Sequence, residues 1–318
     1  MQLKIALIAE EAAGVHALRM VSERGHRVVA AFSDSPEGGM GASVRALAGE
    51  LGVPVRPAAE VRDPGLSAEL TAVGVDLLLN VHSLHVLDAA VLDAPILGSY
   101  NLHPGPLPEC AGLHAPGWAL YEGHALHGVT LHRMTAVVDE GPVAFIDRFP
   151  VAGLKSALEL MSECVRRGLP LLDRLLELAA RGAPIPAEPQ DLGRRRWFGS
   201  GPPQGGLLDW GRPASQVAGF VGACDYGPFP SPWSFPRCRA ADGEIAIVAA
   251  EATVEAADAA PGTVAAAEND GVLVAAADAW VRVARIETAP GDRVPAAAAL
   301  RPGDRLLSLE REPGGSRR

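Results

Sequence analysis

Along the first 150 residues, short apolar runs alternate with longer segments whose apolar residues recur at helical spacing. Runs at 3–8, 28–32, 53–56 and 76–81 predict strands. The last of these, Asp-Leu-Leu-Leu-Asn-Val, predicts a strand buried on both faces. Segments 14–24, 42–51 and 67–74 read as helices, the first two closed by Gly25 and Gly52. A helix over 87–93 leads to a strand over 98–103 that breaks at Pro104. Strands at 128–134 and 143–149 and helices at 154–167 and 169–180 follow. Strands and helices in this alternation predict an α/β fold with a doubly wound, mostly parallel sheet.

The pattern changes after Gly182-Ala-Pro-Ile-Pro-Ala-Glu-Pro, which punctuates the chain. Beyond Trp197, Pro and Gly separate short β-like runs at 245–249, 262–266, 272–275 and 280–286, with a short helix over 217–224 ahead of them. The division expected is a domain over 1–182, a linker over 183–203 and a small β domain over 204–318. No internal repeat is visible.

Composition narrows the partners. The 318 residues hold 28 Lys+Arg against 38 Asp+Glu, a formal net charge of −10. An acidic chain repels a polyanion on average, which disfavours sequence-independent phosphate binding. The start of the chain runs straight into a strand without a signal-peptide core, and no stretch approaches the length of a membrane helix. Cys110, Cys164, Cys224 and Cys238 lack the paired spacing of a zinc site. Cytoplasmic residence, reduced thiols, no metal and no membrane are therefore expected. Nothing in the sequence sets an oligomeric state.

Ligands of an open parallel sheet bind at the carboxyl ends of its strands, which directs attention to the loops after Val81, Leu102 and Met134. The densest polar signal there is Asn101-Leu-His-Pro-Gly-Pro-Leu-Pro. Alternate strand residues share a face, so Asn101 and His103 project together from a strand end. An amide donor beside an imidazole suits acyl transfer: one stabilises an oxyanion, the other exchanges a proton near neutral pH. A nearby carboxylate, Asp139, would orient the ring and raise its pKa. A satisfied Asn and His in a proline-rich turn remains the alternative.

Asn101-Leu-His-Pro with Leu107-Pro108, Gly112, Ala115-Pro116, Trp118 and Gly123 resembles the signature of the formyltetrahydrofolate-dependent formyltransferases. Gly128-Val-Thr with Asp139-Glu-Gly resembles its second half. Leu208-Asp-Trp210, Arg212-Pro213, Pro261-Gly-Thr-Val264 and Gly271-Val-Leu-Val274 resemble that family's C-terminal β-barrel domain. The resemblance implies formyl transfer from 10-formyltetrahydrofolate to an amine, without a metal. It implies that Asn101, and His103 when protonated, hold the oxyanion while Asp139 orients His103 and moves the proton. It places folate against His85, Val86 and Leu87 and against Thr135, Ala136, Val137 and Val138. Packing at a helix start is the other reading of Val86 and Leu87. His82, His114, His124, His127 and His132 lie near these positions in sequence.

Departures from the family pattern bear on the acceptor. Basic residues usual after the Asn-x-His strand are absent at Ala111 and Leu113, and Gly222 replaces an arginine. The loop 33–41 is short and acidic where tRNA-acting members carry a longer basic insertion. Residues 201–318 hold 11 Arg and no Lys against 15 Asp+Glu, a formal charge of −4. A tRNA-gripping face is not indicated, and Arg194-Arg195-Arg196 reads as a solvated turn. The expected acceptor is a small-molecule, nucleotide-sugar or carrier-bound aminoacyl amine. Methionyl-tRNA formylation, and hydrolysis of formyltetrahydrofolate by water, stand as alternatives.

Overall fold

The computed structural model describes residues 1–34, 43–268 and 271–309. The backbone groups into two compact units. One comprises Met1–Gly112, Leu126–Pro150 and Met161–Phe198, the other Leu113–Ala125, Val151–Leu160 and Gly199–Arg318.

In the first unit β1 (Lys4–Ala9), β2 (Arg27–Phe32), β3 (Val55–Arg56), β4 (Leu77–Val81) and β5 (Ser99–His103) lie parallel. The strand β6 (Ala111–Gly112) stands apart, and β7 (Leu126–Arg133) and β8 (Val143–Pro150) extend the sheet antiparallel. The order across the sheet is β3-β2-β1-β4-β5-β7-β8. It reverses at β1 and β4, where such sheets open a crevice. A two-stranded pairing joins β6 to β9 (Trp197–Phe198).

Both faces of the sheet are covered, as the apolar pattern requires. Between the strands come α1 (Glu11–Glu23), α2 (Val44–Glu50), α3 (Leu66–Val73) and α4 (Ala89–Asp93). Ile8, Phe32 and Leu78 bury one face with Leu66 and Leu70 of α3 and Val91 of α4. Ser43 caps α2, its hydroxyl accepting from Ala46 N–H. The helix expected from 87 begins later, with Asp88 as its cap, and leaves Leu87 in the core. In the second unit α5 (Ala115–Tyr121), unforeseen in the pattern, carries Pro116 in its first turn.

The two helices expected at 154–167 and 169–180 are one, α6 (Ala157–Arg181), with Pro170 inside it. Proline removes one i→i−4 bond, yet the buried stripe Leu172, Leu175, Leu176 and Ala179 continues in register beyond it. Gly168 lets this helix lie against the sheet: a Cβ there would meet Leu102 Cδ2 at 3.0 Å and Val129 Cγ2 at 3.1 Å. The other face of β5 and β7 is thereby left for Asn101 and His103.

The second unit continues with α7 (Ala214–Ala223), β10 (Arg237–Ala240), β11 (Gly243–Ala256), β12 (Val264–Glu268), β13 (Gly271–Ala275), β14 (Ala279–Ala289), β15 (Asp292–Pro295) and α8 (Ala296–Ala299). The strands are antiparallel in the order β10-β11-β14-β13-β12, with β15 on β14. The edges β10 and β12 meet through the segment 304–307. Arg239 and Leu307 exchange backbone bonds at 2.9 and 2.8 Å, and Val264 N–H donates to Asp304 O at 2.9 Å. That closure removes the open edges and makes the expected small barrel.

Candidate active site

The register between β5 and β7 assembles the site. Asn101 faces His132 and His103 faces Thr130, so four polar residues share one face while Leu102 and Val129 pack on α6. Thr130 Oγ1 donates to Gly105 O at 2.8 Å and accepts from Leu107 N–H at 3.1 Å, fixing the proline turn after β5.

His103 is buried. Its Nε2 lies 2.6 Å from Cys110 O, a pure acceptor, so Nε2 carries the proton and Nδ1 is the open nitrogen. Nδ1 faces Asp139 Oδ2 at 3.8 Å. The same Oδ2 accepts the Gly112 N–H at 2.9 Å, and Oδ1 lies 3.4 Å from His132 Nε2. His132 Nδ1–H donates to Arg133 O at 3.0 Å, which in the neutral ring leaves Nε2 to accept from Asn101 Nδ2–H at 3.2 Å. The second N–H of Asn101 is then the donor available to a ligand.

Burial pushes the His103 imidazole below its usual pKa, outweighing the raising effect of Asp139 and the Cys110 carbonyl. Asp139 raises the ring's pKa as expected, but in a dry site desolvation of the charged ring is the larger effect. Burial alone would raise Asp139, but the charge of a protonated His103, a hydrogen bond from His132 whenever its Nε2 carries a proton, and the Gly112 N–H hold its carboxyl well below the usual range. The pair therefore rests as a neutral imidazole beside a carboxylate.

Asp139 sits at φ +60°, in the left-handed region. Gln190 holds it there, its Nε2 donating to Asp139 O at 3.0 Å and Gly141 O at 2.6 Å. The segment expected as linker thus lies along the site loops. Val143 and Glu188 exchange backbone bonds at 2.8 and 2.9 Å, and Ala111 N–H donates to Arg196 O at 3.0 Å. Gly112 is tightly enclosed by that segment, a Cβ at its φ of +95° falling 2.2 Å from Phe198 O. The basic run is exposed at Arg194 and Arg196, as a solvated turn would be, but it is also tethered: Arg194 pairs with Glu109, Arg195 with Glu140 and Val138 O, and Arg196 stacks over Phe198.

The positions expected to meet folate divide. Val86 is exposed, as are Val137 and Val138, while Leu87 belongs to the core. His85 Nε2 pairs with Asp34 Oδ2 at 2.8 Å. Thr135 closes its own loop, Oγ1 donating to Val137 O at 2.9 Å, and Ala136 is exposed. Of the five neighbouring histidines, His132 reaches the trio. His82, at φ +62°, faces Glu11 Oε2 at 3.4 Å; His127 packs on Phe149 and bonds Pro104 O. His114 packs on Trp233 and His124 pairs with Glu122 in the second unit. Beyond Asp34 the acidic loop 33–41 lies outside the described residues. Among the described residues no group of three His, Cys, Asp or Glu is placed to hold a metal.

Two absent arginines have a packing reason. Ala111 is fully buried, and a Cβ at Gly222 would fall 2.1 Å from Lys155 O. Sequence reading missed Gln190, Cys110 O and the Gly112 N–H. The last two are backbone groups with no side-chain signal, and Gln190 is 51 residues from its partner.

Solved structures share this architecture. HypX from Aquifex aeolicus, in complex with tetrahydrofolic acid, matches 94% of the chain at 20% identity and TM-score 0.63, the chain spanning 47% of that protein. The N-formyltransferase from Helicobacter canadensis, in complex with folinic acid and dTDP-3-aminofucose, matches 89% at 12% identity and TM-score 0.68, covering 99% of its length. WlaRD, a sugar 3N-formyltransferase studied with dTDP and 5-N-formyl-THF, matches 89% at 12% identity and TM-score 0.67, covering 97%. At these identities the likeness is one of fold. The family models supply more: the formyl transferase model matches residues 10–168 and the formyl transferase C-terminal domain model residues 202–302. The chain belongs to the formyltransferase family.

Proposed function

We propose that this protein transfers a formyl group from 10-formyltetrahydrofolate to the amine of a small-molecule, nucleotide-sugar or carrier-bound aminoacyl acceptor. The observation that carries the reading is the meeting of Asn101, His103 and Asp139 at the end of β5, in a chain of this family.

Attack of the amine on the formyl carbon places negative charge on oxygen and leaves a proton to be moved. The free N–H of Asn101 serves the oxyanion. His103 Nε2–H is already given to Cys110 O, so the ring serves through Nδ1, which takes up the amine proton, and the imidazolium formed lies against Asp139. Return of that proton to the folate nitrogen completes the transfer. The exposed Leu84, Val86, Val137 and Val138 supply apolar surface for the pterin and its linker, and neighbouring backbone groups read the pterin edge.

The catalytic domain is read as 1–182, with 183–203 as its connection to a barrel domain over 204–318. Four reduced, buried thiols suit the cytoplasm. Among the described residues no helix is long and apolar enough to cross a membrane. The net charge of −10 and the pairing of Arg194 and Arg195 with carboxylates favour a small acceptor over tRNA.

The test is an acceptor panel. Tetrahydrofolate release is followed with 10-formyltetrahydrofolate alone, then with dTDP-amino sugars, aminoacyl-carrier proteins and initiator methionyl-tRNA. Release that needs an amino sugar or carrier-bound amine supports the reading. Release without any amine makes the protein a hydrolase, and preferential use of tRNA overturns the acceptor assignment.

A further inference from the structure

Asn80 departs from the composition of its own strand. The rest of β4 is Leu77, Leu78, Leu79 and Val81, all fully buried, and Asn80 itself is 7% exposed. An amide in such a place is costly unless its polar atoms are met. Its Nδ2–H donates to Ser83 O at 3.3 Å. Because a carbonyl oxygen can only accept, this bond fixes the amide's orientation. The oxygen Oδ1 is thereby turned away from Ser83, buried and without a hydrogen-bond partner.

Register places Asn80 on the sheet face that carries the site. Asn80 pairs with Ile8 of β1 on one side and with Asn101 of β5 on the other, and Asn101 pairs with His132 of β7. Paired residues of neighbouring strands share a face, so Asn80, Asn101 and His132 form a polar row across the carboxyl end of the sheet. Within it an amide donor on β5 and an unmet amide acceptor on β4 stand one strand apart, about 4.8 Å.

We infer that Asn80 Oδ1 is a subsite for the reduced pterin, accepting its N5–H when the formyl group lies against Asn101. The inference deepens the function proposed above and rests on it. In tetrahydrofolate and its N10-formyl derivative N5 carries a hydrogen, and only C6 and C9 separate N5 from N10. A formyl oxygen held by Asn101 therefore brings N5–H to the neighbouring strand, where Asn80 Oδ1 is the unmet acceptor. An N5-formylated folate has no hydrogen there, so the same atom gives the site a preference for folates unsubstituted at N5.

Calorimetric titration of the full chain with tetrahydrofolate and with folinic acid, which is N5-formylated, tests this. In Asn80→Leu the affinity for tetrahydrofolate falls by about tenfold, while folinic acid binds as it does to the wild type. Asn80→Ser, which keeps a polar group but withdraws the oxygen, shows the same selective loss. Equal losses for both folates, or none for either, overturn the assignment; Asn80 then only holds the His82–Ser83 turn. A wild-type protein that binds neither folate overturns the proposed function, and the subsite with it.

Discussion

His103 turns its open Nδ1 toward Asp139 Oδ2 at 3.8 Å while its Nε2–H is bound to Cys110 O at 2.6 Å. The ring is oriented from both ends, one by backbone and one by charge. It can therefore take a proton without moving, and the protonated ring meets a carboxylate already in place.

The pH dependence of kcat/KM follows from this pair. Burial sets the His103 pKa below 6.5, so the neutral, working form persists down to slightly acid pH and the acid limb of the profile lies below 6.5. Asp139 raises the ring's pKa, so Asp139→Asn moves that limb to still lower pH while lowering the plateau. A pH–rate profile of both proteins shows the shift; an acid limb above 6.5 in the wild type contradicts it.

The same burial links folding to pH. A histidine with a lowered folded pKa binds fewer protons in the native than in the unfolded state, so its stability contribution is full above the unfolded value of about 6.5 and declines as pH falls through that window. Asp139, held low, adds a second decline below the ordinary carboxylate range. Thermal melts between pH 7 and 5 show the wild type losing more stability than His103→Gln.

Asn101→Ala removes the donor assigned to the oxyanion. Loss of one such donor costs roughly 2.7–4 kcal/mol of transition-state stabilisation, about 10²–10³ in kcat. Folate affinity, measured by titration with folinic acid, changes little.

Gln190→Ala frees Asp139 from the contact that holds its left-handed backbone. The expected outcome is a kcat lowered by about tenfold or more, in line with small displacements of catalytic groups, with Tm nearly unchanged. A matching fall in Tm and kcat would instead mark Gln190 as merely structural.

Gly112→Ala forces a methyl group to within 2.2 Å of Phe198 O at a φ that disfavours any side chain. The 110–112 backbone then shifts, and with it the N–H that Asp139 accepts and the carbonyl that His103 contacts. Differential scanning calorimetry and the activity assay both register the loss.

Asn101 and His103 were legible because a period-two strand ending at Pro104 puts both side chains on one face. Asp139 was legible as a carboxylate that could orient His103, but what places it there, a left-handed backbone held from 51 residues away, has no local signal. The seven strands of the large sheet and four of the six barrel strands showed in their apolar runs; β10 (Arg237–Ala240) and β15 (Asp292–Pro295) have no such run. The closure of the barrel did not show, because it rests on the few bonds of residues 304–307. Pro170 made one helix look like two: local propensity signalled a break that burial of the continuing stripe overrides. Asn80 was visible as a polar residue in an apolar strand, but its neighbour Asn101 appears only with the register.

The most direct test of the account follows tetrahydrofolate release from 10-formyltetrahydrofolate by the wild type and by Asp139→Asn, with and without an accepted amine. Release is expected to require the amine and to collapse in Asp139→Asn. Undiminished amine-dependent release by Asp139→Asn would contradict it.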